Sequence, residues 1–376
     1  MTTGNLADAT HNPVRPQSRH DPVRVALIGC GYISEIYLTN APRWGNIEIV
    51  RVADIVPENA RRRGEQFGIP AATVEDALAD PEVEVVLNLT IPAAHASVAL
   101  AAIRAGKSVY NEKPLAIDLE DGRRIVAEAQ AAGVLAGCAP DTFLGAGLQT
   151  GRALLDSGAI GDPVGMTGFM LTPGHERWHP NPDFYYQPGG GPMLDMGPYY
   201  LTAMVNLLGP IARVSAMARA SFPERTITSE PRAGERIPVQ VNTHHAAVLQ
   251  FASGPIATLV TSFDATPGDT PNLELYGSAG TMLLPDPNTF GGPVKVRGRG
   301  EREWEEKAVI RPCADNSRGL GLSDLAAALR EGRAPRASAD LALHVLEAMH
   351  AVETASREGR AVEIESRPGR PSPLPA

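Results

Sequence analysis

The sequence predicts two consecutive domains, an α/β domain with a parallel sheet and an α+β domain with a large, mainly antiparallel sheet. Apolar strand-like runs alternate with amphipathic helical stretches through the first 140 residues, as expected for right-handed βαβ units. Beyond residue 141, short strand-like runs follow one another with turn signals between them, and this order favours antiparallel pairing. The length of 376 residues also exceeds what a single hydrophobic core usually serves.

The composition is that of a globular protein, with 43% apolar and 20% charged residues. A net charge of -9 argues against nucleic acid or an anionic membrane as a partner. No apolar run approaches the roughly 20 residues that cross a bilayer. The three cysteines lack the spacing of a metal site and fit a reducing compartment. We therefore expect a cytoplasmic protein without a metal, a membrane segment or a nucleic-acid partner.

Both ends of the chain have the composition of tails. Residues 1–22 are polar, contain prolines and lack an apolar core, so we expect a disordered tail rather than a secretion signal. Residues 367–376 are rich in proline, which predicts a second loose tail. The expected domains therefore cover residues 23–140 and 141–366.

The first predicted strand runs directly into the motif Gly29-x-Gly31-x-x-Ser34 and a helical stretch. This is the dinucleotide-binding fingerprint of a Rossmann domain, with Ser34 at the place of the third glycine. Gly29 permits the tight turn and Gly31 lets the backbone approach a pyrophosphate, which the N–H groups at the helix start attract. We expect Gly29, Gly31, Tyr32 and Ile33 to contact the cofactor.

The second predicted strand ends in Asp54, 20 residues after Ser34. This is the offset of the acid that binds the adenosine ribose hydroxyls in such domains. Because a carboxylate here repels a 2′-phosphate, the sequence favours NAD over NADP. The run Arg61-Arg62-Arg63 offers an alternative, since an arginine in reach of a phosphate would favour NADP, but a solvated helix face is the preferred interpretation.

Strands and helices continue to alternate up to residue 139. The predicted strands cover 23–28, 47–53, 83–89, 106–109 and 134–139, and the predicted helices cover 34–40, 58–66, 93–105 and 119–132. Thr90 and Pro92 follow a strand, where the nicotinamide half of the cofactor should pass. His95, in the next helical turn, either touches the cofactor or is a structural histidine, and the sequence leaves both possibilities open.

The stretch Tyr110-Asn111-Glu112-Lys113-Pro114 follows the next strand. Ligands bind beyond the carboxyl ends of the strands in an open parallel sheet, so we expect Glu112 and Lys113 at the ligand crevice. Pro114 disfavours helical geometry at Lys113 and so holds it extended. The alternative is a surface lysine that precedes a helix.

Short strand-like runs dominate the second half of the chain. The predicted strands cover 166–171, 213–220, 246–251, 256–263, 273–276 and 281–284, and the predicted helices cover 145–157, 198–208, 320–331 and 338–358. A large sheet backed by helices needs its other face covered, so we expect a homo-oligomer, either a dimer or a tetramer.

A run of three glycines at 189–191 precedes Asp195, Pro198 and Tyr199. Consecutive glycines suggest a tight loop close to a ligand or cofactor, and Pro198 suits the first turn of a helix. Asp195 and Tyr199 are four residues apart, so both lie on one face if the helix begins early enough. The alternative is an acid that complements the helix dipole, together with a packed tyrosine.

The segment 175–186 combines aromatic and hydrogen-bonding residues without regular periodicity. Flat apolar rings and polyfunctional donors suit a polyol, so this loop is a candidate wall of a substrate pocket. His175 and His179 do not predict a metal site, because no carboxylate or cysteine framework completes one.

Taken together, these motifs resemble the Gfo/Idh/MocA family of nicotinamide-dependent oxidoreductases. The matching pieces, spread over about residues 23–366, are Gly29-x-Gly31-x-x-Ser34, Asp54, Thr90-x-Pro92-x-x-His95, Glu112-Lys113-Pro114 and Asp195-x-Gly197-x-Tyr199. The resemblance implies a reaction centre formed by Lys113, Asp195 and the residue at position 199. Family members often have histidine there, whereas Tyr199 resembles the branch that includes glucose-fructose oxidoreductase.

The oxidation of a secondary alcohol needs a hydride acceptor and a proton acceptor, and this chemistry predicts a role for each of these residues. Lys113 would stay charged and donate to the substrate oxygen, Asp195 would orient Lys113 or bind a neighbouring hydroxyl, and Tyr199 would relay the proton. We expect the charge of Lys113 to lower the pKa of Tyr199. His179 and Asn181 would also bind the substrate, because they precede Asp195 at the distance where relatives place sugar-binding groups.

The expected function is that of an NAD(P)-dependent oxidoreductase, which transfers a hydride between nicotinamide and a secondary alcohol or ketone of a sugar, sugar derivative or cyclitol. Two alternatives stay open. One is a glycoside-cleaving enzyme that keeps NAD tightly bound and uses transient oxidation and elimination. The other is a non-catalytic sensor that binds a dinucleotide.

Overall fold

The computed structural model describes residues 21–375. The expected tail over residues 1–22 lies outside the described residues, apart from its last two. The expected fold class is confirmed, because a six-stranded parallel sheet is followed by a nine-stranded, mostly antiparallel sheet. Within the described range, none of the helices combines the length and the apolar character that a membrane crossing requires.

The first domain alternates strands and helices as the hydrophobic pattern predicts. Its strands are β1 Val23–Ile28, β2 Ile47–Ala53, β3 Ala71–Ala72, β4 Val85–Asn88, β5 Ser108–Asn111 and β6 Ala136–Cys138. Its helices are α1 Ser34–Trp44, α2 Pro57–Phe67, α3 Val74–Ala79, α4 Pro92–Arg104 and α5 Leu119–Ala132. The prediction missed β3 and α3, because elements this short show no periodicity.

The sheet order β3-β2-β1-β4-β5-β6 brings the predicted ligand-binding residues to one edge. β1 pairs in parallel with β2 and with β4, and β4 pairs in parallel with β5. The carboxyl ends of these four strands therefore lie side by side. The strand order reverses between β1 and β4, and ligands bind outside such a point in open α/β sheets.

The second domain is built around the larger sheet. Its strands are β7 Pro163–Leu171, β8 Ile211–Arg219, β9 Glu224–Thr226, β10 Arg236–Pro238, β11 His244–Phe251, β12 Ile256–Ser262, β13 Leu273–Gly277, β14 Gly280–Leu284, β15 Val294–Gly298, β16 Glu305–Lys307 and β17 Val362–Glu363. Its helices are α6 Ala146–Asp156, α7 Gly191–Leu208, α8 Leu320–Glu331 and α9 Ala339–Glu358. The sheet order is β16-β15-β14-β13-β7-β12-β11-β8-β17, and β7 pairs in parallel with β12.

Helix α7 begins earlier than its sequence suggested. It starts at Gly191 with Pro192 in its first turn, so Pro198 lies inside the helix. The prediction that Pro198 occupies the first turn was wrong, because Pro192 fills the position where a missing N–H is not needed. The earlier start places Asp195 and Tyr199 one turn apart on the same helix.

Two helices from the end of the chain pack against the first domain. α8 contacts β6, and α9 contacts both α5 and β6. Arg330 of α8 also pairs with Glu84, which precedes β4, at 2.6 Å. These contacts therefore hold the end of the chain against the first domain.

The proline-rich C-terminal segment is docked rather than loose. The Arg152 guanidinium donates to the carbonyl oxygen of Pro371 at 3.0 Å, and the Leu374 N–H donates to Gln149 Oε1 at 2.9 Å. Both partner side chains belong to α6. Of the expected loose tail over 367–376, the described part up to residue 375 is thus tied to the second domain at Pro371 and Leu374.

Candidate active site

The turn after β1 contains two glycines, and their surroundings explain the absence of a side chain in different ways. Gly29 has a φ of +103°, and a Cβ there would lie 2.5 Å from the carbonyl carbon of Leu89. Packing therefore requires Gly29, because only glycine lets the ends of β1 and β4 approach so closely. Apart from its two chain neighbours, a Cβ on Gly31 would meet no described protein atom within 4 Å. Its open surroundings fit the close approach of a ligand to the backbone.

The start of α1 offers free backbone donors beside that open position. In the described part of the chain, the N–H groups of Gly31, Tyr32 and Ile33 have no hydrogen-bond acceptor. The Ser34 hydroxyl donates to the Gly31 carbonyl at 2.6 Å and closes the turn. Free N–H groups at a helix start bind anions. The residues present therefore fit the pyrophosphate of a dinucleotide.

Asp54 stands beside this turn, at the end of β2. Its Oδ2 atom accepts the Cys30 N–H at 2.8 Å, and its Oδ1 atom accepts the Val56 N–H at 2.8 Å. Asn59 Nδ2 also donates to Oδ1, at 3.4 Å. Because a carboxylate has about four acceptor sites, this half-buried group keeps capacity for a further donor such as a ribose hydroxyl. The structure places the acid next to the glycine turn, as the sequence offset predicts.

The arginine run of α2 is largely engaged with the protein. Arg61 is exposed and bonds to an acid of its own helix at 2.6 Å. Arg63 is buried, and it donates to Glu35 at 2.9 Å and to the Gly31 carbonyl at 3.3 Å. Arg62 is exposed. The expected solvated face thus holds Arg61 and Arg62, whereas Arg63 supports the glycine turn.

His95 connects the strand ends that carry Thr90 and Lys113. It is 1% exposed, and its ring nitrogens lie 2.6 Å from the carbonyl oxygen of Pro114 and 3.0 Å from that of Thr90. Burial lowers the pKa of His95, so the neutral ring donates to one of these oxygens. Of the two possibilities that the sequence leaves open, this arrangement favours the structural one. Pro92, two residues after Thr90, is the first residue of α4.

Lys113 and Asp195 form an ion pair where the two domains meet. Lys113 Nζ lies 2.8 Å from Asp195 Oδ1 and 2.7 Å from the Asp195 carbonyl oxygen. Burial alone would lower the pKa of Lys113, but the Asp195 carboxylate outweighs it and holds that pKa above its usual value. Burial would likewise raise the pKa of Asp195, yet Lys113 and His175 keep it below its usual range. Both groups are therefore charged near neutral pH.

Glu112 fixes the backbone that carries Lys113. Its Oε2 atom accepts the Lys113 N–H at 2.9 Å, and its Oε1 atom accepts the Tyr37 hydroxyl at 2.9 Å. The peptide bond between Lys113 and Pro114 is cis. Glu112 thus links the end of β5 to α1 by hydrogen bonds and supports the backbone of Lys113.

Tyr199 lies one turn beyond Asp195, with Lys113 Nζ 5.2 Å from the centre of its ring. We expected the pKa of Tyr199 to be lowered, and this prediction was wrong. Burial raises the pKa of Tyr199 above its usual value, and the opposing charge of Lys113 has the smaller effect. Because the side chain is 8% exposed, the phenol stays protonated at neutral pH.

The loop after β7 brings His175 to the same carboxylate. His175 Nε2 lies 3.3 Å from Asp195 Oδ2, and the neighbouring Glu176 binds Arg225 at 2.7 Å. The sequence placed His175 in the candidate substrate loop 175–186 and did not predict a metal site there, and the contact with Asp195 was missed because no motif links the two. Among residues 21–375, no group of three or more His, Cys, Asp or Glu side chains could hold a metal ion.

His179 and Asn181 lie farther out on this loop. The His179 ring is 5.3 Å from that of Phe184 and 5.5 Å from that of Tyr185, and its Nδ1 atom accepts the Asn181 N–H at 3.0 Å. Burial lowers the pKa of His179. Asn181 is exposed. The structure brings His179 to the aromatic rings around His175, whereas Asn181 faces solvent at the rim.

The glycine run before α7 forms the expected tight loop, but its neighbours are protein atoms. A Cβ on Gly190 would lie 2.3 Å from the carbonyl oxygen of Phe184, and one on Gly191 would lie 3.0 Å from that of Asn242. Packing therefore accounts for these glycines. They let the loop close on the start of α7, which sets the position of Asp195.

Arg318 reaches the site from the segment before α8. Its guanidinium lies 6.0 Å from the centre of the Phe290 ring and donates to Asn316 at 2.8 Å. Burial works against its charge, but Tyr199 and other neighbours keep the pKa of Arg318 raised. A second cation therefore borders Tyr199. No sequence motif marks Arg318, because the contact depends on the return of the chain to the first domain.

Both halves of the chain match models of known protein families. Residues 23–139 match the oxidoreductase family with an NAD-binding Rossmann fold, and residues 148–283 match the GFO/IDH/MocA C-terminal domain. A 1,5-anhydro-D-fructose reductase from Ensifer adhaerens is 27% identical over 350 residues, which cover 91% of this chain and 99% of that protein. A myo-inositol 2-dehydrogenase from Thermotoga maritima is 24% identical over 263 residues, covering 69% and 75%.

A solved structure shares the fold over most of the chain. Levoglucosan dehydrogenase, in complex with NADH and L-sorbose, superposes with a TM-score of 0.79 at 18% sequence identity, covering 92% of this chain and 100% of that one. The two family matches follow each other in the order that the motifs indicated, so the resemblance inferred from the sequence is confirmed. The chain belongs to the Gfo/Idh/MocA family of NAD(P)-binding oxidoreductases.

Proposed function

We propose that this protein is an NAD-dependent oxidoreductase, which transfers a hydride between nicotinamide and a secondary alcohol or ketone of a sugar, sugar derivative or cyclitol. The observation that carries the proposal is the shielded ion pair of Lys113 and Asp195, with Tyr199 one helical turn away, at the carboxyl edge of a dinucleotide-binding sheet. Relatives named as an inositol dehydrogenase, an anhydrofructose reductase and a levoglucosan dehydrogenase support the substrate class.

The cofactor would lie along the carboxyl edge of the first sheet. The N–H groups at the start of α1 would hold the pyrophosphate, Asp54 the ribose hydroxyls, and Thr90 and Pro92 would line the nicotinamide side. NAD is favoured over NADP because Asp54 repels a 2′-phosphate and because Arg61 and Arg63 already pair with acids. When bound, the nicotinamide supplies the hydride acceptor for oxidation or the donor for reduction.

Lys113 would bind the reacting oxygen of the substrate as a cation. Its raised pKa excludes a role as the base, because the amine stays protonated. A fixed cation beside the oxygen favours the alkoxide-like charge that develops in the transition state. Asp195 keeps Lys113 charged and fixes the direction of Nζ, and it can also accept a neighbouring substrate hydroxyl.

Tyr199 would relay the proton. Because burial keeps its phenol protonated, Tyr199 can donate directly when a ketone is reduced. In the direction of oxidation it must pass its own proton on before it accepts another, and the charges of Lys113 and Arg318 favour that exchange. Oxidation should therefore become faster toward alkaline pH.

The substrate would meet the loop 175–186. Trp178 and Phe184 on this loop are 62% and 50% exposed, and such rings suit stacking against the apolar face of a sugar. His179 and Asn181 would bind hydroxyl groups at the rim.

We also propose that the protein forms a homo-oligomer through the open face of the larger sheet. Along β11, buried residues alternate with exposed or half-buried ones. Apolar side chains of neighbouring strands are exposed on that sheet, including Met217 at 81% and Val248 at 47%. A second copy would cover them.

The test is the absorbance of reduced nicotinamide when the protein is mixed at alkaline pH with NAD or NADP and a panel of free sugars, glycosides and inositols. We expect a substrate-dependent rise with NAD, which Lys113→Met abolishes. No rise, combined with stoichiometric NAD released on denaturation, would favour the glycoside-cleaving alternative. No binding of either dinucleotide would contradict the cofactor assignment.

A further inference from the structure

A histidine outside the recognised motifs completes this centre. His175 Nε2 lies 3.3 Å from Asp195 Oδ2, while Oδ1 of the same carboxylate receives Lys113 Nζ at 2.8 Å. The two oxygens therefore have different partners, which come from different elements. We propose that His175 is a positioning residue, which donates its Nε2–H to Asp195 and thereby fixes the carboxylate that holds Lys113. The expected effect of His175 on the turnover number rests on the proposed function.

The surroundings of His175 determine which ring nitrogen carries the proton. Nδ1 is buried and has no hydrogen-bond partner among residues 21–375. The rings of Tyr185, Phe263 and Trp178 enclose it, with centres 4.3, 4.5 and 5.5 Å from that of His175. A proton on Nδ1 would be buried without an acceptor, whereas a proton on Nε2 meets a carboxylate. The geometry therefore favours the arrangement in which Nε2 carries the proton and donates to Asp195.

With its proton on Nε2, His175 does not take part in the proton relay. Its only basic nitrogen, Nδ1, is buried without a hydrogen-bond partner, in a ring that packs against Phe263. His175 is thus not the proton acceptor of the reaction, and that role stays with Tyr199. The effect of His175 passes through Asp195, which is held at both oxygens and cannot rotate away from Lys113.

The loop that carries His175 is anchored from outside the site. Glu176 binds the Arg225 guanidinium at 2.7 Å, and Arg225 also binds Asp264 at 3.0 Å. The Thr228 N–H donates to the Glu176 carbonyl at 3.0 Å. These contacts hold the backbone beside His175, while aromatic side chains pack against its ring. A positioning residue needs such support, because its own rotamer must be locked.

Two substitutions separate donation from packing. His175→Phe keeps a flat ring against the aromatic neighbours and removes the Nε2–H. His175→Gln loses the ring but keeps an amide N–H that can reach Asp195. We expect kcat to fall by up to about 100-fold in His175→Phe, because a catalytic group displaced by about 1 Å can cost that much, with little change in KM for NAD, and His175→Gln to recover most of the activity. The reverse order, with Phe active and Gln impaired, would show a packing role and overturn the proposal.

A double variant tests whether the effect passes through Asp195. In an Asp195→Asn background, His175→Phe should reduce kcat little further, because the carboxylate that it positions is already lost. Independent, multiplicative losses in the double variant would contradict the proposal.

A chemical readout makes the test independent of turnover. Acetylation of Lys113 by acetic anhydride, followed by mass spectrometry, reports how firmly Asp195 holds the amine. We expect the rate to rise several-fold in His175→Phe, to stay near that of the unmodified sequence in His175→Gln, and to be highest in Asp195→Asn. If no sugar is turned over but this order holds, the proposed function fails and the positioning role stands. An unchanged rate in His175→Phe would overturn the positioning role.

Discussion

Removing Asp195 while Lys113 stays in place should destabilise the protein strongly. The two charges are 2.8 Å apart, with side chains 17% and 19% exposed. At this distance and an effective dielectric constant of about 20, the gross attraction is roughly 6 kcal/mol, much of which desolvation offsets. Leaving one such charge without its partner costs about 3–5 kcal/mol. Loss of the lysine proton limits the cost, because lowering its pKa from about 10.4 to 7 takes about 4.6 kcal/mol.

We therefore expect Asp195→Asn to reduce the free energy of unfolding by about 3 kcal/mol, the lower end of the range, because the amide oxygen still accepts a hydrogen bond. Urea unfolding followed by circular dichroism measures this loss. The double variant Lys113→Met, Asp195→Leu should recover most of it, since an apolar pair often replaces a buried ion pair without cost.

An exposed ion pair provides the matched control. Arg61 and Glu58 are 2.6 Å apart but 63% and 64% exposed, so Glu58→Gln should cost at most about 1 kcal/mol. If Asp195→Asn costs no more than Glu58→Gln, the conclusion that the Lys113–Asp195 pair is shielded from solvent is refuted.

The stabilisation by this pair should be constant between about pH 5 and pH 10. The pKa of Asp195 lies below its usual value, so its contribution is present above about pH 4 and is lost on further acidification. The pKa of Lys113 lies above its usual value, so its contribution is present below about pH 10 and is lost as the pH rises through the raised pKa.

Three further predictions concern other parts of the molecule. Gly31→Ala should weaken NAD binding, measured by calorimetry, without changing the melting temperature, whereas Gly29→Ala should destabilise the fold because its Cβ would lie 2.5 Å from backbone. Tyr199→Phe should lower kcat strongly with NAD binding intact, and normal turnover would remove Tyr199 from the mechanism. Burial lowers the pKa of His344 to about 4, so about 3 kcal/mol of stability should be present above about pH 6.5 and be lost as the pH falls through about 4. Urea midpoints should show this loss, and His344→Gln should remove it.

The first domain could be predicted almost completely, because its strands and helices are long enough to show their hydrophobic period. β1, β2 and α5 have the bounds that the sequence suggested. The glycine turn and Asp54 were predictable for the same reason, since chain spacing alone determines their neighbourhood. The start of α7 was not, because two prolines both fit a first helical turn.

The candidate site was only partly predictable. Lys113 and Asp195 belong to separate motifs, and their meeting depends on how the domains dock. His175 and Arg318 belong to no motif, since their roles arise from a loop and from a returning segment that only the fold brings near. The pKa of Tyr199 was expected in the wrong direction, because a sequence shows a neighbouring charge but not the degree of burial that outweighs it.

We propose that the centre around Lys113 and Asp195 serves direct hydride transfer from a sugar carbon. The most direct test uses a substrate from the panel with deuterium at the carbon that carries the reacting hydroxyl, together with NAD at alkaline pH. We predict that mass spectrometry finds the deuterium in the reduced cofactor, one atom for each molecule of ketone formed. Ketone formed without deuterium in the cofactor, or deuterium lost to water, would contradict the account.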